Sequence, residues 1–162
     1  MPVVSSSRDA DALTLTIESE FAATAEQVWS LWSDPRRLER WWGPPTWPAT
    51  FVRHEFVPGG QSRYYMTGPD GTKAGGWWTF LDIVEPSAIS IRDGFAGEDG
   101  EPVDPGDYGT MDVAIAAKDG RTAMTVINTF QSAEQMQKLL DMGQEEGMKE
   151  AMGQIDVILA DG

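Results

Sequence analysis

The sequence predicts an α+β domain: a curved antiparallel sheet of about seven strands, two short helices near its start, and one long C-terminal helix. Three observations lead there. Between residues 49 and 130, turn chemistry divides the chain into six β-rich runs. The links between those runs are too short to carry crossover helices, so consecutive strands must run antiparallel. Beyond residue 132 the apolar positions change to helical period.

Taken in order, residues 1–10 are polar and read as a flexible start, with one domain expected over 11–162. Leu13, Leu15, Ile17 and Phe21 alternate with Thr14, Thr16 and Glu18, the pattern of a half-buried strand. Thr24 and Gln27 form a capping-box pair opening a helix that carries Val28, Trp29, Leu31 and Trp32. Pro35 suits the first position of a second helix, which carries Leu38, Trp41 and Trp42 and ends at Gly43. Pro44, Pro45 and Pro48 forbid regular structure after it. The six runs are 49–57, 61–67, 76–84, 88–95, 108–117 and 121–130, parted by PGG, GPDG, EPS, GEDGEPVDPGD and KDG. Ser132 is placed to cap a helix of about 40 Å over 133–160.

Composition narrows the chemistry. With no cysteine there is no disulfide and no thiolate ligand or nucleophile. A single histidine removes the usual zinc constellations, and the carboxylates lack EF-hand spacing, so no metal or other cofactor is expected. The 26 acidic against 12 basic residues give a net charge of −14, which repels phosphate backbones and anionic lipid. Nucleic acid and membranes are therefore not expected as partners, whereas a homodimer stays open. No apolar run approaches the length of a membrane span and the N-terminus lacks signal-peptide order, so a cytoplasmic location is expected.

The terminal helix is unusual in its middle. Counted at 100° per residue, Met136, Leu140, Gly143, Gly147, Ala151 and Ile158 share its inward face. A glycine inside a helix costs about 1 kcal/mol relative to alanine, so the two glycines need a reason. Close packing against another backbone is one; empty space beneath the helix, able to hold a ligand, is the other. Strand parity adds to the second. With Val52 and Phe56 facing the core, His54 between them does too, as do Tyr64 and Met66, then Ile89, Ile91 and Asp93. Met111 joins them from the run 108–117, and Met124, Val126, Asn128 and Phe130 from the last run. An apolar interior with a few isolated polar groups suits a small-molecule pocket. Each polar residue also has an ordinary reading as a satisfied core group. Trp41, Trp42 and Trp47 fall where the mouth of such a pocket would be, and of Trp77 and Trp78 at most one looks inward, with Trp78 the candidate.

The ordered segments AEQVWSLWSDPRRLERWWGP, HEFVPGGQSRYYMTGPDG, DIVEPSAISIRDGFAGEDGEPV and MTVINTFQSAEQMQKLLDMGQEEGMKEAMGQIDVILA resemble the START/Bet v 1-like (SRPBCC) superfamily. More narrowly they are similar to the branch named after the activator of the heat-shock-protein-90 ATPase. The resemblance is closest to bacterial stand-alone members, which include calicheamicin self-resistance and polyketide cyclase-like proteins. It implies the helix-grip fold and an apolar cavity under the terminal helix. It supplies no shared catalytic motif, and His54 stands where relatives commonly carry an apolar residue.

Three functions follow as expectations. The first is binding of a hydrophobic, aromatic or polyketide-like molecule. The second is a cofactor-independent cyclase, dehydratase or isomerase, in which Asp93 orients His54 as base and Tyr64 or Asn128 holds a developing oxyanion. The third is a module that modulates a chaperone ATPase; the eukaryotic co-chaperone's additional domain has no counterpart here, which argues against it.

Overall fold

A computed structural model describes residues 3–161. The expected meander is present. Strands β1 (Val3–Asp9), β2 (Thr14–Phe21), β3 (Ala49–His54), β4 (Gln61–Thr67), β5 (Lys73–Val84), β6 (Ala88–Ala96), β7 (Gly109–Lys118) and β8 (Arg121–Thr129) form one antiparallel sheet. Its order is β1-β2-β8-β7-β6-β5-β4-β3, so consecutive strands from β3 to β8 are neighbours and the sheet does not close on itself. Helices α1 (Ala25–Ser33) and α2 (Pro35–Leu38) follow β2, and α3 (Ala133–Asp141), α4 (Gln144–Met152) and α5 (Ile155–Ala160) end the chain. No described helix is long and apolar enough to cross a membrane.

Two features correct the sequence reading. The sheet has eight strands rather than seven, because Val3–Asp9 is not a frayed lead but pairs along β2. It carries no apolar alternation; Ser6 and Arg8 instead reach across to α4, where both hydrogen-bond Glu145, at 2.6 and 2.7 Å. Second, the terminal helix is not one 40 Å rod. Gly143 has φ of 90°, a left-handed conformation that glycine adopts without a Cβ clash, and the chain turns there between α3 and α4. A second interruption at Gly153–Gln154 separates α5.

The first helices start for the reasons expected, but α2 stops at Leu38, so Trp41 and Trp42 lie in the turn beyond it and not on a helix running to Gly43. Thr24 Oγ1 accepts from the Gln27 amide while Gln27 Oε1 accepts from the Thr24 amide, completing the capping box. Asp34 caps α2, with Pro35 at its first turn. From α1, Val28, Trp29, Leu31 and Trp32 are buried. They meet Phe21, Ile115, Met124 and Phe80 of the sheet in one apolar cluster that Ile155 and Ile158 of α5 also enter. One end of the concave face is thus filled solid. The other end lies beneath α3 and α4.

Candidate functional site

At that second end β6 finishes, β7 begins and β8 finishes, and between them and α3–α4 lies a cavity of about 710 Å³. Small-molecule sites fall in this size range. Its floor comes from Tyr64 and Met66 of β4, Asp93 and Phe95 of β6, Gly109 of β7 and Asn128 of β8. Its roof is Leu139 of α3 with Gly147, Met148 and Ala151 of α4. Trp41, Trp42, Pro44 and Trp47 form one wall. Phe95 and Met142, 45% and 61% exposed, sit at the rim.

Gly147 decides between the two readings of the roof. A β-carbon built there meets no atom within 4 Å. No backbone approaches it, so close packing does not explain this glycine; space does. Gly143 lines the cavity as well but serves the break in the helix rather than a face within it. Both Leu139 and Leu140 of α3 pack against the core cluster, but Leu139 lines the cavity and Leu140, the expected lining residue, does not.

Two further glycines shape the floor. Tyr64 pairs with Gly76 across β4 and β5, and a β-carbon at 76 would lie 2.2 Å from the Tyr64 ring. The ring therefore lies across the glycine, stacked on Phe51 at 4.9 Å and edge-on to Trp42 at 6.2 Å. Gly109, opposite Asp93, leaves room in the same way, since a β-carbon there would come within 3.1 Å of Asp93 Oδ1.

The polar centre is Asp93 and Tyr64. Burial pushes the Asp93 carboxyl up to about 7; only its own backbone amide opposes that, and no basic side chain does. What surface it keeps faces the cavity. The Tyr64 hydroxyl is raised far above its ordinary value, first by burial and then by the charge of Asp93. The indole N–H groups of Trp42 and Trp78 lie close enough to favour a Tyr64 oxyanion, yet neither buried N–H completes a regular hydrogen bond. Asn128 donates to the Leu15 carbonyl at 3.3 Å and is held in place on the floor.

His54 is not part of this centre. A bulge between Phe51 and Arg53 shifts the parity of β3, so Val52 is 67% exposed and Phe51 buried. His54 does turn inward, but beyond the bulge and against the filled end. Its Nε2 donates to the Trp32 carbonyl at 2.8 Å, and its Nδ1 accepts from Ser62 Oγ at 2.8 Å. Both ring nitrogens are thereby used. His54, Ser62, Trp78 and Asp93 occupy one row across β3, β4, β5 and β6. Three strand spacings, roughly 14 Å, separate the histidine from the aspartate, with the Trp78 position between them. The expected His–Asp dyad does not form.

Other expected lining residues lie at the filled end too. Phe56 packs on Trp29 and Phe80. Trp78, fully buried, sits amid Trp32, Trp42 and Phe51, while Trp77 lies on the opposite face with its indole over Gly94. Ile91, Met111 and Met124 are fully buried in the core cluster. Conversely, Phe95, Gly109, Met142 and Gln144 are among the lining residues that the sequence did not point to. Phe95 was within reach, being two residues beyond Asp93 on the same strand face.

Opposite pH dependences follow for the two titrating groups. Burial holds the His54 imidazole below its ordinary 6.5, against the pull of the Trp32 carbonyl and Asp34. Below about pH 6.5 the unfolded chain therefore takes up a proton that the folded chain resists, and this contribution to stability, complete above that pH, declines as pH falls. Asp93 acts the other way: its raised carboxyl keeps its proton in the fold, and its cost grows as pH rises from about 4 to 7. Asp93→Asn should raise the melting temperature over wild type by several degrees at pH 8 and by much less at pH 5. Equal shifts at both pH values, read by differential scanning calorimetry, would contradict this.

Comparison with known proteins agrees with the architecture. The family model described as Activator of Hsp90 ATPase homolog 1-like protein matches residues 22–160. A solution structure of an Arthrobacter aurescens protein is 54% identical, with a TM-score of 0.93 over 99% of this chain and 93% of that one. A crystal structure of a Mycobacterium smegmatis protein is 46% identical, with a TM-score of 0.90 over 98% and 97% of the two chains. The AHSA1 protein of Silicibacter pomeroyi, 18% identical over 91% of this chain and 97% of its own, shares the fold at a TM-score of 0.73. No curated protein matches the sequence. With the family match spanning most of its length and the helix-grip architecture in place, the chain belongs to the Activator of Hsp90 ATPase homolog 1-like family of the SRPBCC superfamily.

Proposed function

We propose that the protein binds an apolar small molecule in the cavity beneath α3 and α4. The open space in front of Gly147 carries this reading, because a helix that only packed would close it. Aromatic and methionine side chains supply the walls, and at about 25 cal/mol per Å² a guest burying about 300 Å² gains roughly 7 kcal/mol before its entropy loss. N-phenyl-1-naphthylamine, an apolar dye that brightens out of water, tests it. Saturable brightening, with a higher melting temperature at excess dye, is expected. A dye that stays dark, together with purified protein free of any small molecule by native mass spectrometry, would end the reading.

The cyclase alternative loses the His54–Asp93 pair on which it was built, and Asp93 would have to act without an imidazole. The chaperone-modulating alternative is supported by the family's name and by the acidic surface alone. Association with a chaperone in a low-salt pull-down would revive it.

A further inference from the structure

Resting on the cavity reading, we infer that the guest is an amine: an apolar body whose protonated nitrogen is held by Asp93. Among the described residues Asp93 is the one carboxyl in the floor, and it accepts nothing but a contact from its own backbone amide. Gly109 and Gly76 leave room for the carboxyl and for its Tyr64 neighbour, since a β-carbon at 109 would crowd Asp93 Oδ1 and one at 76 would strike the Tyr64 ring. A second acceptor, Gln144 Oε1, is buried in the roof of the same cavity without a partner. Buried acceptors without donors cost stability, and a carboxylate in an apolar cavity costs more. An ammonium group answers both needs, since it brings several N–H donors and a positive charge.

The remaining lining charges agree. Asp107 and Glu134 add two carboxylates, and the one basic side chain, Lys138, is exposed and has no resolved influence on Asp93. An anionic head group would meet a wall of its own sign. Tyr64, close enough to feel the Asp93 charge, adds an oxygen beside the place where the nitrogen would sit.

The experiment displaces N-phenyl-1-naphthylamine with decylamine, decanol and decanoate, which share a tail and differ in head group. Salt at about 150 mM screens the overall acidic charge. Decylamine is expected to displace the dye at a concentration at least about tenfold below decanol, the size of one charge-assisted hydrogen bond, with decanoate weakest. Asp93→Asn, which removes one charge in a strongly acidic protein, should shrink the amine preference to within about twofold, leaving only what the general field supplies. In wild-type protein the Asp93 carboxyl carbon should shift on titration with decylamine and not with decanoate, read by carbon-13 NMR. Equal displacement by all three, or a preference that survives Asp93→Asn, overturns the amine inference and leaves the cavity standing. Failure of the dye itself to bind overturns the cavity reading instead.

Discussion

Gly147→Trp should weaken N-phenyl-1-naphthylamine binding by roughly a hundredfold or more while the protein stays folded, a loss of about 2.7 kcal/mol in binding free energy. The β-carbon position of this residue meets nothing, so an indole placed there enters the cavity rather than a neighbour. Gly147 also lies inside α4, where replacing glycine removes a cost of about 1 kcal/mol to the helix. Binding and stability should therefore move apart, and Gly147→Ala and Gly147→Leu should grade between the extremes. Packing-only glycines predict the reverse, with stability falling as side-chain size grows and the dye unaffected. Dye titration beside urea unfolding of the same series separates the two outcomes.

Trp78→Ala is expected to cost about 3–5 kcal/mol of folding stability, the range for removing a buried aromatic. A domain of this size has about 5–15 kcal/mol in all, so the variant should sit near the edge of folding. Trp78 is fully buried, with ring centroids of Trp42 and Phe51 at 4.8 and 5.4 Å and of Trp32 and Phe80 at 6.1 Å. Trp78→Phe keeps most of that contact and should lose far less. Urea unfolding measures both. A small loss in Trp78→Ala, paired with a large change in dye affinity, would mean that Trp78 is a cavity wall after all.

These two residues show what the sequence disclosed and what it hid. Alternation in Leu15, Ile17 and Phe21, and turns at Gly59, Gly71 and Gly120, placed nearly every strand, because periodicity and turn chemistry are local properties. Parity put Tyr64, Asp93 and Asn128 on the concave face together with Ile91 and Met111, and left open which of Trp77 and Trp78 joined them. It could not say which lie at the hollow end, since parity reports a face and not a position along it. The bulge at Phe51–Arg53 exchanged Val52 for Phe51, because one extra residue reverses the alternation. Gly143 kept helical period on both sides of a left-handed turn, so the break left no mark in the apolar pattern. The strand Val3–Asp9 was invisible for a different reason. Its pairing is dictated by the edge of β2 and by Glu145, more than a hundred positions away.

That first strand has a practical bearing on every assay proposed above. Ser6 and Arg8 grip a carboxylate on the very helix that roofs the cavity, two positions from Gly147, and hold Glu145 below its ordinary acid range. The opening residues are thus a buckle fastened over the binding chamber. An affinity tag or a trimmed leader that disturbed them would loosen the roof and alter measured affinities without touching a single cavity side chain, so recombinant versions should carry their additions at the other end.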